Sequence, residues 1–308
     1  MAHTSKLEEI LLDQPSIVTI GVFDGVHLGH QQVITALVAE AKQTNRKAVV
    51  VTFFPHPDEL FRGVTGRYYL TTVDERAHLL RELGADTVVT LAFDDDFSRI
   101  RANVFVDQLI NNLKMASLWV GADFALGYKR EGNVEFLKRG GAARGYTVNP
   151  LSLVTQAKDG STINSTSIRE QLTAGYVEQA KEWLGRAYSV SGEVVTGDKR
   201  GRSIGFPTAN LAVWEQQVIP GNGVYAGWAT LGERRFKAVT NIGTRPTFDG
   251  VAVRVEAYLV DFDEDIYGQP LTITFEARLR DEQKFDGIEA LKKQLTADVA
   301  RGKKLLKG

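Results

Sequence analysis

Two hydrophobic rhythms divide the chain. Through its first 185 residues, short runs of branched and aromatic residues predict buried strands at 17–23, 48–54, 87–93 and 118–121. Between them the apolar positions recur every three or four residues, as amphipathic helices require. In the segment 30–42, Val33, Ile34, Leu37, Val38 and Ala41 share one face. Segments 74–83, 102–113 and 134–144 follow the same rule, and 165–173 and 177–184 read as two helices joined at Ala174-Gly175. Such strand–helix alternation implies a Rossmann-like α/β domain, with a parallel sheet and right-handed crossovers. Ligands of these sheets bind beyond the carboxyl ends of the strands.

After Tyr188 the period shortens. Strands are predicted at 189–195, 223–231, 235–242, 253–262 and 271–279, with glycine-containing turns between them, and a helical pattern returns only at 287–299. This predicts a small antiparallel β-barrel with a terminal helix. The expected domains are residues 1–185 and 186–308, without a low-complexity linker or internal repeat.

Composition narrows the chemistry. With 308 residues and 43% hydrophobic content, the chain can build a large core unaided by disulfide or metal. It has no cysteine, which excludes disulfides, thiolate nucleophiles and zinc–thiolate sites. The net charge of −1 argues against nucleic acid or an anionic membrane as partner. MAHTSKLEEILLDQP is not a signal peptide, and no apolar run approaches the roughly 20 residues that span a bilayer, so a cytoplasmic protein is expected. Arg301, Lys303, Lys304 and Lys307 suit a solvated helix end. His3, His78 and the tryptophans carry no motif, and Trp119 and Trp228 fall in apolar strand runs expected in the core. Asp94-Asp95-Asp96, between Phe93 and Phe97, is expected to close a strand and enter a short helix rather than bind a metal. The oligomeric state stays open.

Two segments carry candidate chemistry. The first, Gly21-Val22-Phe23-Asp24-Gly25-Val26-His27-Leu28-Gly29-His30, bridges a predicted strand and helix. Gly21, Gly25 and Gly29 permit tight backbone, and a helix N-terminus offers unpaired N–H groups to a phosphate. His27 and His30 can donate to phosphoryl oxygens, which fits attack at the α-phosphate of a nucleotide. The alternatives are a helix-capping histidine or a metal pair, and the latter lacks a third ligand at suitable spacing. The second is Gly201-Arg202-Ser203-Ile204-Gly205-Phe206-Pro207-Thr208-Ala209-Asn210, a glycine-flanked loop leading into a strand. Thr208 and Asn210 are two apart, so in extended backbone they share a side, a hard-oxygen pair for Mg²⁺. An ordinary turn is the alternative.

GVFDGVHLGH resembles the signature of the HxGH nucleotidyltransferases. With TFFPHP at 52–57, VGADF at 120–124, GYKREG at 127–132 and NSTSIR at 164–169, the first half resembles the bacterial bifunctional riboflavin kinase/FMN adenylyltransferases. The resemblance implies that His27 and His30 contact ATP phosphates. It implies that Ser165, Thr166 and Arg169 hold the triphosphate at a second helix N-terminus, where Ser165-Thr166 also suits an N-cap. Phe54, Pro55, His56, Asp123 and Phe124 would line the flavin and nucleotide pocket, beside Phe23 and Asp24. Asn164 and Ser167 depart from the family's usual serine and basic residue.

The second half resembles the riboflavin kinases through GRSIGFPTAN, PGNGVYA at 220–226, NIGTRPTF at 241–248, DIYG at 265–268, and Arg280, Glu282, Lys284 and Phe285. By alternation alone Glu256 is a solvent-facing strand residue. The resemblance makes it the catalytic base for the riboflavin 5′-hydroxyl, with Mg²⁺ held at Thr208 and Asn210 and the phosphates covered by the Gly201, Gly205, Phe206 and Pro207 loop. Arg200 and Arg202 are further loop cations. The expected activity is ATP-dependent phosphorylation of riboflavin to FMN, followed by adenylyl transfer from ATP giving FAD and pyrophosphate. Two rivals are a kinase whose first domain is inactive in FAD formation and a flavin- or nucleotide-sensing module.

Overall fold

The computed structural model describes residues 6–151, 157, 160–197, 201, 204–247 and 250–306, with the side chains of 245–247 and 250–252 left out. His3, Arg200, Arg202, Ser203, Phe248 and Lys307 lie outside the described residues. The chain forms two compact units, Met1–Thr65 with Tyr69–Ser165, and Gly66–Tyr68 with Thr166–Gly308.

In the first unit the strands β1 (Ser16–Ile20), β2 (Lys47–Phe54), β3 (Thr87–Ala92), β4 (Met115–Gly121) and β7 (Thr147–Leu151) form one parallel sheet in the order β3-β2-β1-β4-β7. Its connecting helices are α1 (Leu28–Thr44), α2 (Pro57–Arg62), α3 (Val73–Glu82), α4 (Asp95–Ser98), α5 (Ala102–Leu113) and α6 (Val134–Arg144). A short hairpin, β5 (Ala125–Leu126) with β6 (Gly132–Asn133), follows β4. Ile17 and Val50 bury themselves under α1 and α3, while Val18, Val49 and Val51 belong to a second cluster with α5. Burial on both faces is why these strands read as unbroken apolar runs. The strand order reverses between β1 and β4, so the turn after β1 opens at a topological switch point.

Besides Gly66–Tyr68, the second unit holds α7 (Ser165–Thr173), entered at Thr166, and α8 (Val177–Leu184). Pattern alone grouped these helices with the first half. α8 buries Val177, Ala180, Trp183 and Leu184, and its Glu178 accepts a hydrogen bond from the Arg278 amide (2.8 Å). Six antiparallel strands close a barrel in the order β10-β11-β12-β9-β8-β13: β8 (Tyr188–Val195), β9 (Ala209–Val213), β10 (Gly223–Leu231), β11 (Arg234–Thr247), β12 (Gly250–Leu259) and β13 (Pro270–Arg280). Tyr225, Thr240, Ala257 and Ala209 pair along one row facing the interior. The neighbouring row, Val224–Asn241–Glu256–Asn210, faces outward.

The last helix, α9 (Ile288–Leu305), covers part of that outer surface. Val224, Ala226, Val239 and Leu279 pack with Leu306 and Val299. Arg280 fastens the helix through Asp298, whose carboxylate is buried and accepts three bonds from the guanidinium (2.8–3.1 Å).

Trp119 and Trp228 are half-buried rather than core residues. The Trp119 indole donates to Glu40, and Arg235 stacks 4.0 Å over Trp228. Indole N–H groups and ring faces seek polar company at the edge of a core. Asp94 caps α4 by accepting from the Phe97 amide (2.8 Å), as its sequence suggested. Among the described residues no helix is long and apolar enough to cross a membrane.

Two candidate active sites

β1 ends at Ile20, three residues before its apolar run does, because the backbone turns sharply there. Phe23 (φ 53°), Gly25 (φ 79°) and Val26 (φ 42°) all take left-handed conformations. For a β-branched residue this is strained, and strain of this kind persists only where the surroundings enforce it. Several bonds do so. The Val22 carbonyl accepts from Thr52 Oγ1 (2.7 Å) and from Arg76 Nη1 (2.8 Å), and Arg76 Nη2 donates to the Phe53 carbonyl (3.0 Å). The buried Asp24 carboxylate accepts from the amides of Leu70 (3.0 and 3.1 Å) and Thr71 (3.2 Å) and from the Thr71 hydroxyl (3.3 Å). A Cβ at Gly25 would come within 2.6 Å of Leu70 Cδ1.

α1 then starts with His27 as its cap, accepting weakly from the His30 amide at Nδ1 (3.4 Å). The two imidazoles stack at 3.6 Å, and Phe23 meets His30 edge-on at 5.2 Å, with Gly21 under the Phe23 ring and Gly29 buried. His30 Nδ1 is buried without a hydrogen-bond partner in the described structure. Burial first, then His27 and Arg76, hold the His30 pKa well below its ordinary 6.5. The ring is neutral at pH 7. A helix N-terminus carrying two imidazoles is a ready anion site.

Around this loop, Phe54 and Pro55 lead out of β2 and His56 caps α2, accepting from the Asp58 amide (3.0 Å). The His56 amide donates to the Tyr69 hydroxyl (2.7 Å), which itself donates to Glu59. Burial and that carboxylate raise the Tyr69 pKa. Beyond β4, Asp123 and Phe124 line an open depression with Ala122, Arg130, Asn133 and Glu135. The helix α7 starts at Ser165, so the flanking position is Asn164 and the expected N-cap is displaced by one residue. The Ser165 hydroxyl donates to the Asp24 carbonyl (2.9 Å). In the second unit, which includes Thr166, the Arg169 guanidinium lies 3.8 Å over the Tyr68 ring and its Nε donates to the Tyr68 carbonyl (2.6 Å).

The barrel site has two neighbouring parts. Gly201, Pro207, Thr208, Ala209, Ala257 and Leu259 line a cavity of about 230 Å³, whose rim carries Asp263, Glu264 and Asp265. A Cβ at Gly201 would come within 2.2 Å of the Phe206 carbonyl oxygen, so only glycine closes this turn, and Gly205 (φ 84°) reverses it. The Phe206 ring packs on Tyr258 (5.3 Å). On the outer row, Glu256 is paired with Asn210 on one side and Asn241 on the other. Its carboxylate is half-buried and lies 3.5 Å from Arg254 Nη1. Thr208 thus belongs to the cavity wall, and Asn210 to the row that holds Glu256.

Sequence reasoning missed Arg76, and it read Asn241 as the start of NIGTRPTF without placing it beside Glu256. Arg76 lies on the apolar face of α3 with Ala77 and Leu80, where a charged residue is out of place. Asn241 needed the strand register. Among the described residues no group of three or more His, Cys, Asp or Glu side chains could hold a metal ion.

Residues 10–167 match a family model described as FAD synthetase, and residues 184–306 one described as riboflavin kinase. The chain is 38% identical to the bifunctional riboflavin kinase/FMN adenylyltransferase of Escherichia coli (strain K12), over 92% of this chain and 90% of that one. Identity to the protein of the same name from Haemophilus influenzae is 37%, over 94% of each. The fold is similar to a structure titled "Crystal Structure of Macrolide-efflux Protein from Streptococcus pneumoniae" (TM-score 0.86, 29% identity, 98% of each chain).

Proposed function

This chain belongs to the bifunctional riboflavin kinase/FMN adenylyltransferase family, and from that premise we propose how its residues divide the two reactions. The enzyme phosphorylates riboflavin to FMN with ATP, then transfers AMP from ATP to FMN, giving FAD and pyrophosphate. The observation that carries the division of labour is the barrel register, which sets Glu256 between two asparagines beside the Thr208 cavity.

In the kinase site Glu256 accepts the proton of the riboflavin 5′-hydroxyl while that oxygen attacks the γ-phosphorus and ADP leaves. Asn210 orients the carboxylate, and the Gly201–Phe206 turn, with Gly205 and Pro207, positions the phosphates. The donor set fits Mg²⁺: Thr208 offers a hydroxyl on the cavity wall, the phosphates would offer oxygens, and Asp263, Glu264 and Asp265 line the same cavity. Thr208 and Asn210 would hold the ion, and it would neutralise phosphate charge.

In the adenylyl site an FMN phosphate oxygen attacks the α-phosphorus of ATP and pyrophosphate departs. His27, His30 and the first amides of α1 stabilise the charge on the reacting phosphoryl group. Asp24 supports the loop from beneath. Phe54, Pro55, His56, Asp123 and Phe124 line the flavin and adenine pocket, and Ser165, whose hydroxyl donates to the Asp24 carbonyl, binds the triphosphate. Both reactions take place in the cytoplasm, which supplies the ATP.

Glu256→Gln should lower riboflavin phosphorylation by about 10²–10⁴-fold and leave FAD formation from supplied FMN intact. His30→Ala should do the reverse. Equal loss of both activities in either variant would refute separate sites.

A further inference from the structure

Arg76 is one of the largest fully buried side chains in the molecule, at 0% exposure. A buried guanidinium is expensive unless it meets a carboxylate. Here it meets carbonyls. Nη1 donates to Val22 in the signature loop, Nη2 to Phe53 near the end of β2, and Nε is buried with no hydrogen-bond partner in the described structure. Among the described residues no carboxylate lies within ion-pair reach of it. Asp24 acts on it only at longer range, its oxygens accepting from Leu70 and Thr71.

We propose that Arg76 is a positioning residue for adenylyl transfer. Its guanidinium fastens the ends of β1 and β2 together, fixes the strained signature loop, and sets a permanent positive charge behind the site where the nucleotide phosphates bind. The proposal rests on the reading of that loop as the phosphate site. A positive charge lacking an ion partner is complementary to the anion that arrives, and being fixed it needs no reorganisation during the reaction.

The second consequence concerns His30. The charged and titratable groups that act on its ring are His27, stacked on it from the start of α1, and Arg76 from α3; Asp24 and Tyr69 act on Arg76 in turn. Both neighbours of His30 oppose a proton on it. Before the nucleotide arrives it is therefore a neutral imidazole.

The experiment compares Arg76→Met, Arg76→Lys and His30→Ala in the full chain, measuring FAD formation from FMN and ATP across pH, with circular dichroism to check folding. Arg76→Met should lower kcat about 100-fold, the scale for loss of one preorganised electrostatic group, with the KM for FMN little changed. Its acid limb should move up, because a charge opposing His30 protonation has gone. Arg76→Lys keeps the charge, so its acid limb should stay in place and its kcat should recover to within about tenfold of the parent.

Equal loss in the Lys and Met variants with the same acid limb, or a folded Met variant with normal kcat, would overturn the proposal. If Arg76→Met does not fold, the folded Lys variant decides: kcat within about tenfold of the parent with an unmoved acid limb supports the proposal, and kcat lowered about 100-fold overturns it. Normal FAD formation by His30→Ala would instead overturn the reading of the loop, a result distinct from any Arg76 outcome.

Discussion

Replacing Asp24 by Ala separates a loop support from a substrate ligand. The Asp24 carboxylate accepts from two backbone amides, Leu70 and Thr71, in residues that are 0% and 1% exposed. A hydrogen bond to a charged acceptor is worth about 1.5–3 kcal/mol, and a buried amide left without one costs about 1–3 kcal/mol. Two such amides at about 2 kcal/mol each give about 4 kcal/mol, less a part returned because the variant no longer buries a carboxylate. The net expectation is a loss of about 3 kcal/mol. Asp24→Asn keeps one acceptor oxygen and should lose about half as much. The unfolding of two units need not be a single transition, so the assay is local: hydrogen exchange, by mass spectrometry, of peptides covering 66–75. Their exchange should quicken about 100-fold, the equivalent of about 3 kcal/mol. Unchanged exchange with FAD formation abolished would refute this reasoning and make Asp24 a direct ligand.

Asp298→Ala should destabilise the second unit by about 3–5 kcal/mol, since it strands a largely buried Arg280, and thermal unfolding followed through loss of riboflavin phosphorylation would register it. Gly201→Ala should cut riboflavin phosphorylation by about 10²-fold, because its Cβ would meet the Phe206 carbonyl oxygen at 2.2 Å and displace the loop, while FAD formation from FMN persists. The lowered pKa of His30 also makes stability depend on pH. The unfolded chain takes up this proton near pH 6.5 and the folded chain only well below it. The contribution is therefore complete above pH 6.5 and falls as pH drops toward the folded value, by up to about 1.4 kcal/mol per pH unit. In urea titrations at several pH values, the parent should lose ground to His30→Gln only below pH 6.5; a constant difference would contradict it.

Helices with strong periodicity were legible to the residue. Segments 102–113, 134–144, 165–173 and 177–184 match α5, α6, α7 and α8. Boundaries failed where backbone geometry overrode pattern. The run 17–23 continues apolar through Phe23, yet the left-handed residues after Ile20 end β1 early. β7 went unread because its side chains are only partly buried and Pro150 interrupts them. The two motif segments were visible as glycine and polar spacing, and the family resemblance raised Glu256 from a surface strand residue to the expected base. What pairs across strands was not visible. Asn241 beside Glu256 depends on register, and Arg76 beneath the signature loop depends on a contact 54 residues distant in sequence.

The most direct test of the account is chromatography of the flavins formed when the purified chain is incubated with Mg²⁺, ATP and riboflavin, with FMN supplied in a parallel reaction. The account predicts FMN and then FAD in the first and FAD in the second. FMN without FAD in the first reaction, and no FAD from supplied FMN, would contradict it.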